Sequence, residues 1–153
     1  MDLRTICIIP ARGGSKGLPR KNTLQLGGET LIARVVKDVI ASGVAEVVVV
    51  TTDDKEIAKL ALEAGAEVPF LRPSAISGDL ATTEETLKHA LNEYEAMVNV
   101  KYDTALFLTA TDVFRNLEQI KEVVSRLHGN PNLESVFVGY KTHKNFWERN
   151  EDG

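Results

Sequence analysis

Glycines and cations are concentrated in one short segment near the N-terminus. Residues 10–22 read PARGGSKGLPRKN and contain Arg12, Lys16, Arg20 and Lys21 but no acidic residue. Glycine lets backbone N–H groups approach phosphate oxygens closely, and the cations can neutralise phosphate charge. The segment is not a Walker A loop, because G-x-x-x-x-G-K-[S/T] does not fit it. It predicts a site for a phosphorylated ligand, and a solvated basic loop is the alternative.

Two adjacent carboxylates, Asp53 and Asp54, follow a second apolar run. Either one could contact a phosphorylated ligand or its metal, with Asp53 the candidate metal ligand. Helix N-capping is an equally good interpretation of both. Asp79 and Asp112 are weaker carboxylate candidates. The three histidines have no spacing that suggests a metal site, and the single cysteine, Cys7, is expected in the core.

Apolar runs alternate with amphipathic stretches along the whole chain. The predicted strands are 6–9, 47–50, 67–71, 105–108 and 135–139. The predicted helices lie near 31–42, 55–64, 83–98 and 117–127. Thr82-x-x-Glu85 is a capping box and Asn116-x-x-Gln119 is a helix start, whereas Gly43 and Gly65 end the first two helices. This order predicts an α/β fold with a mostly parallel sheet and helices on both faces. Ligands of such sheets bind beyond the carboxyl ends of strands, here 10–22, 51–54, 72–83, 109–115 and 140–147.

Composition is that of a globular chain. The 153 residues fit one domain, 1–153, with 43% hydrophobic and 26% charged residues. The net charge of −4 argues against nucleic-acid binding. No apolar stretch approaches the roughly 20 residues of a membrane span. With no signal peptide and one cysteine, a cytoplasmic location is expected.

Several motifs together resemble one enzyme family. The matching stretches are IIPARGGSKGLPRKN at 8–22, VVVTTDD at 48–54, VPFLRPSAISGDLATT at 68–83 and LTATDVFR at 108–115. They resemble the acylneuraminate cytidylyltransferases, which include the enzymes acting on legionaminic and pseudaminic acids. The resemblance implies a Rossmann-like nucleotidyltransferase fold. It also implies that CTP donates CMP to a nonulosonic acid and that pyrophosphate is released under Mg²⁺. A homodimer is implied for a full-length chain.

The resemblance assigns roles within residues 10–22, which we call the glycine-rich segment. Arg12, Ser15, Lys16 and Lys21 would hold the triphosphate, with Asn22 alongside. Arg12 and Lys21 would also be catalytic, because fixed cations stabilise the charge that develops on the α-phosphate during attack.

A second group of residues would form the cytosine pocket. By the resemblance it contains Ala11, Arg72, Ala81 and Thr83. Arg72 could donate to O2 or N3 of cytosine, and alanine leaves room for the flat base. From the residues alone, a surface ion pair for Arg72 and a helix cap for Thr83 are the ordinary interpretations.

The chain departs from the family at the fourth strand end. Relatives commonly have Gln-Pro-Thr-Ser-Pro-x-Arg where this sequence has TATDVFR at 109–115. Thr111 and Arg115 match, and Thr109 replaces the glutamine, so these three are the candidate acceptor residues. The family's metal-binding aspartates would lie beyond Gly153, and the ending is expected to be that of a truncated chain. The alternatives are a related nucleotidyltransferase with another acceptor sugar and a catalytically silent nucleotide-binding fragment.

Overall fold

The computed structural model describes residues 3–14, 17–78 and 80–139. The roles predicted for Ser15, Lys16 and Asp79, and the predicted ligand segment 140–147, lie outside the described residues. In chain order the elements are β1 (Thr5–Pro10), a 3₁₀ turn (Lys21–Thr23), β2 (Gln25–Leu26), β3 (Glu29–Thr30), α1 (Leu31–Ser42), β4 (Val47–Thr51), α2 (Lys55–Glu63), a second 3₁₀ turn (Ser74–Ile76), α3 (Thr83–Val98), β5 (Thr104–Phe107) and α4 (Leu117–His128).

A parallel sheet of order β4-β1-β5 forms the centre of the fold. Side chains alternate along β1, so Ile6 and Ile8 pack toward α3, whereas Cys7 and Ile9 pack toward α1, α2 and α4. Helices therefore cover both faces of the sheet, as the continuous apolar strands predicted. Burial raises the pKa of the Cys7 thiol to about 12, so this thiol is an uncharged core group.

The third predicted strand, 67–71, is only partly formed. It touches β4 through two isolated parallel bridges, Val49 to Glu67 and Thr52 to Leu71. Pro69 lies between the bridges and has no N–H to donate, which accounts for the broken ladder. The segment lies beside β4, on the side away from β1.

The strand predicted at Ser135–Gly139 does not form, so that prediction is wrong. No residue of this segment lies in a strand or pairs with a strand in the part of the chain that the structure describes, and Phe137 is 86% exposed. An apolar run favours a strand, but a strand also needs a neighbour with which to exchange hydrogen bonds.

Local signals explain where the helices begin. Thr30, Asp54, Thr82 and Asn116 accept backbone N–H bonds at the four helix starts. The predicted capping box at Thr82 is present, and the predicted helix start at Asn116 is also a capping box, with Gln119. No helix within the described ranges is long and apolar enough to cross a bilayer.

The long connection from β1 to α1 contains a small hairpin that the sequence analysis missed. Strands β2 and β3 pair antiparallel across Gly27 and Gly28. These glycines have φ values of 64° and 86°, the left-handed backbone that a two-residue hairpin turn requires. The hairpin leads into α1, and the preceding residues 10–22 are left at the carboxyl end of β1.

Candidate functional site

A cleft of about 280 Å³ lies at the carboxyl ends of β1 and β5. Its walls come from the segments that follow these strands and from residues 72–86. It contains eight of the residues that the sequence analysis selected, namely Arg12, Lys21, Asn22, Arg72, Ala81, Thr83, Thr109 and Thr111. A larger groove of about 420 Å³ runs along α2, but its lining is mostly apolar and includes none of these residues.

Arg12 and Lys21 bring positive charge to one end of the cleft. Asn22 is 6% exposed, and its Nδ2 donates to the carbonyl of Arg12 at 3.0 Å. This bond joins the two sides of the glycine-rich segment, because Asn22 belongs to the 3₁₀ turn that begins at Lys21. Asn22 therefore positions the backbone that carries Arg12.

The two adjacent carboxylates have different roles. Asp54 is the N-cap of α2 and accepts from the backbone N–H groups of Glu56 and Ile57 at 2.8 and 3.1 Å. Asp53 makes no cap, and its Oδ1 accepts from the backbone N–H of Gly13 at 2.9 Å. The helix-capping interpretation therefore holds for Asp54 but not for Asp53, which contacts the glycine-rich segment instead.

The same helix start contacts Arg20. Its guanidinium lies 3.5 Å from Asp54 and also pairs with Glu56. Arg20 has φ 54°, a left-handed conformation that is uncommon outside glycine. Arg20 therefore pairs with carboxylates at the start of α2, whereas Arg12 and Lys21 line the cleft.

The described residues do not by themselves assemble a metal centre. No group of three or more His, Cys, Asp or Glu side chains in the described ranges could hold an ion. One oxygen of Asp53, the candidate ligand, is already occupied by the Gly13 N–H.

Arg72 is the most unusual side chain in the cleft. It is 7% exposed, yet none of the described carboxylates lies within ion-pair distance of it. Its Nη1 lies 3.4 Å from the Thr86 hydroxyl, whereas Nε and Nη2 are buried without a hydrogen-bond partner among the described residues. Burial lowers the pKa of Arg72, Asp53 opposes this shift at longer range, and Arg12 adds to it. A surface ion pair does not describe this arginine.

The other residues selected for a base pocket are divided by the structure. Ala81 and Thr83 lie on the cleft wall, and the α3 cap is Thr82 rather than Thr83. Ala11 does not line the cleft: it is 1% exposed within the core, and its N–H donates to the Thr51 carbonyl at 3.0 Å.

The three candidate acceptor residues also separate. Thr109 and Thr111 line the cleft, but the Arg115 side chain, 5% exposed, turns away from it. Its guanidinium donates to the Thr109 carbonyl and lies 3.6 Å from Asp38 of α1 and 3.8 Å from Asp112. In this arrangement Arg115 braces the 109–115 segment against α1.

Sequence reasoning missed some of the lining. Thr86 contributes to the wall although it lies outside the predicted ligand segments, and Ser77 and Gly78 lie within the predicted segment 72–83 but were not selected individually. Thr86 could have been found, because it lies one helical turn after the cap Thr82 and close to Thr83. The contacts of Arg20 and Asp53 have no comparable sequence signal.

Comparison with known proteins identifies the family and the fold of this chain. Residues 6–150 match the cytidylyltransferase family. The pseudaminic acid cytidylyltransferase of Campylobacter jejuni is 35% identical over 128 residues, which are 84% of this chain and 55% of that protein. The CMP-N,N'-diacetyllegionaminic acid synthase of Legionella pneumophila is 37% identical over 150 residues, which are 98% of this chain and 64% of that protein.

A solved structure shows the same fold. The CMP:2-keto-3-deoxy-manno-octonic acid synthetase complexed with CTP superposes with a TM-score of 0.68 at 22% identity, covering 85% of this chain and 49% of that one. The fold is thus the Rossmann-like nucleotidyltransferase fold. This chain spans only about half to two thirds of the length of these relatives. On the match that covers nearly all of its residues, the chain belongs to the cytidylyltransferase family.

Proposed function

We propose that this protein binds CTP in the cleft and transfers CMP to a nonulosonic acid, releasing pyrophosphate. Two relatives that are more than a third identical are named for pseudaminic and legionaminic acids, and a structural neighbour was solved with CTP. The observation that carries the proposal is Arg72, a buried guanidinium with two unpartnered donor groups at the cleft.

The chemistry of Arg72 suits cytosine. Buried donors without partners cost free energy, so the site favours a ligand that offers acceptors there. Cytosine presents O2 and N3 as adjacent acceptors along one edge. Ala81 and Thr83 are small side chains beside Arg72 and leave room for a flat ring.

Arg12 and Lys21 are the proposed catalytic residues. The anomeric hydroxyl of the acceptor would attack the α-phosphorus of CTP, forming one O–P bond while the bond to pyrophosphate breaks. The hydroxyl proton is released, and pyrophosphate leaves with the bonding electrons. Fixed cations beside the phosphates stabilise the charge that spreads over their oxygens in the transition state. Ser15 and Lys16 remain proposed triphosphate contacts from the sequence alone.

Mg²⁺ is the proposed cofactor. In nucleotide enzymes it is bound largely by the substrate phosphates, with only one or two protein carboxylates. It would supply charge neutralisation on the triphosphate. A cytoplasmic location and a homodimer of the full-length protein complete the proposal, and sedimentation would test the dimer.

The acceptor sugar is assigned only by class. Thr109 and Thr111 are the cleft residues proposed to face it. Thr109 stands where relatives commonly have glutamine, so a nucleotidyltransferase acting on another acidic sugar is a second candidate function. Comparison of acceptors separates the two.

Calorimetric titration with CTP, ATP and GTP in Mg²⁺ tests the binding step. We expect CTP to bind more tightly than either purine nucleotide, and tighter purine binding would overturn the assignment. Pyrophosphate release with CTP and N-acetylneuraminic, legionaminic or pseudaminic acid tests the transfer step. CTP binding without release from any acceptor would favour a nucleotide-binding role alone.

A further inference from the structure

Asp53 links two parts of the site without lining the cleft. Its Oδ1 accepts from the Gly13 N–H at 2.9 Å, although 40 positions separate the two residues. Its charge also opposes the lowering of the Arg72 pKa. Because Asp54 caps α2, the start of that helix fixes where Asp53 stands.

The glycine-rich segment is attached to α2 at a second point. Arg20 pairs with Asp54 and Glu56, so Gly13 and Arg20 are both held by residues at the start of this helix. Gly13 also packs directly on the helix cap, since a Cβ at position 13 would lie 2.9 Å from the Cβ of Asp54. The start of α2 therefore fixes the positions of both Gly13 and Arg20.

We propose that Asp53 is a positioning residue for the part of the glycine-rich segment that contains Arg12 and Gly13. By holding the Gly13 N–H, its carboxylate fixes the backbone next to Arg12, so that the Arg12 side chain faces the cleft. The inference rests on the proposed function, because it assigns Asp53 a task in CTP binding. It differs from a metal-ligand role, in which the charge of the carboxylate would be essential and its bond to Gly13 incidental.

Two substitutions separate these roles. Asp53→Asn keeps an oxygen that can accept from Gly13 but removes the charge, whereas Asp53→Ala removes both. Removing the acceptor leaves the Gly13 N–H without its partner, and this loss should raise the Kd for CTP about ten- to a hundred-fold. We expect this loss in Asp53→Ala and a Kd within about threefold of wild type in Asp53→Asn. Glu63→Ala, at the far end of the same helix, is the control and should bind CTP normally.

A second measurement needs no ligand. Amide hydrogen exchange at Gly13 in the nucleotide-free protein reports directly on the bond to Asp53. Exchange should be slow in wild type and Asp53→Asn, and fast in Asp53→Ala. Thermal midpoints are measured in parallel, because a purely structural role would lower the midpoint without changing the Kd of the folded fraction.

The outcomes are distinguishable. A wild-type protein that binds no CTP would overturn the proposed function, whereas unchanged Gly13 exchange in Asp53→Ala would overturn the positioning role. Normal CTP binding by Asp53→Ala would also overturn it. Equal loss of binding in Asp53→Asn and Asp53→Ala, with slow Gly13 exchange kept in Asp53→Asn, would show that the charge acts rather than the hydrogen bond.

Discussion

The buried guanidinium of Arg72 destabilises the folded protein, and a ligand that accepts its hydrogen bonds can remove this cost. A buried cation without a carboxylate partner loses its hydration and gains little in return. The lowered pKa of Arg72 expresses this, since burial disfavours its charged form. The same donors that destabilise the empty protein are the ones that a nucleobase could satisfy. Stability and binding should therefore respond in opposite directions when this side chain is changed.

Replacing Arg72 by methionine tests that opposition. We expect Arg72→Met to weaken CTP binding about a hundred-fold, since charge-assisted hydrogen bonds are lost. Its free energy of unfolding should stay the same or rise by up to about 2 kcal/mol, because an unpaired buried charge is removed. Calorimetry and urea denaturation measure the two effects. Arg126→Met, on the exposed face of α4, is the control and should change neither by much.

Gly13 and Gly14 differ in the space that a side chain would find at each position. A Cβ at Gly13 would lie 2.5 Å from Asp54 Oδ2, whereas a Cβ at Gly14 would meet nothing within 4 Å. Gly13→Ala should lower the free energy of unfolding by about 1–3 kcal/mol, as other overpacked sites do, and weaken CTP binding. Gly14→Ala should leave stability nearly unchanged. Equal stability of the two variants, measured by urea denaturation, would contradict the close packing of Gly13 on α2.

At the scale of elements, α3 depends on carboxylates at both ends. Glu85 completes the capping box with Thr82, and hydrogen bonds from Thr82 lower its pKa. Near the other end, Glu95 is 6% exposed, pairs with Lys101 and accepts from the Tyr102 N–H at 3.0 Å. These bonds tie the end of α3 to the turn that enters β5. The arrangement makes α3 sensitive to acid.

The acid sensitivity can be assigned to Glu95. Lys101 and the Tyr102 N–H hold its pKa below the ordinary value of 4.5. Its stabilisation is therefore complete above about pH 4.5 and is lost as the pH falls through the lower, folded-state pKa. Glu95→Gln should cost about 1–2 kcal/mol near neutral pH, and the difference from wild type should vanish in strong acid. Urea denaturation across pH measures this, and a pH-independent difference would refute it. Glu93→Gln, exposed on the same helix, is the control.

At the scale of the whole molecule, a ligand in the cleft would connect several segments of the chain. Its walls follow β1 and β5 and include the start of α3. CTP at about a hundred times its Kd should add about 2.7 kcal/mol to the free energy of unfolding. For a chain of this size that corresponds to a thermal midpoint raised by roughly 5–10 °C. Thermal unfolding with CTP, ATP or GTP measures it, and an equal rise with GTP would contradict pyrimidine selectivity.

Most of the fold was predictable because its signals are local. The capping residues Thr82 and Asn116 marked their helix starts. The alternation of apolar runs with amphipathic stretches predicted a sheet with helices on both faces. The hairpin at Gly27 was missed because its strands have only two residues each. The strand at 135–139 was predicted wrongly because an apolar run does not reveal whether a partner strand is available.

The membership of the cleft was predictable for a topological reason. Residues after parallel strands meet at one sheet edge, so the amino-acid sequence is enough to group Arg12, Arg72 and Thr109. The direction of each side chain was not predictable. Arg115 faces Asp38, and Ala11 faces the core, because of contacts with elements distant in sequence.

The contact between Gly13 and Asp54 also constrains how related sequences can change. Any residue but glycine at position 54 has a Cβ, and that atom would crowd a side chain at position 13. Related sequences can therefore avoid the clash by keeping glycine at 13 or by placing glycine at 54, where a helix N-cap tolerates it. The two positions should substitute as a pair across divergent relatives, although they are far apart in sequence. A library that varies both codons together would recover Gly13 with many residues at 54, but other residues at 13 mainly with Gly at 54.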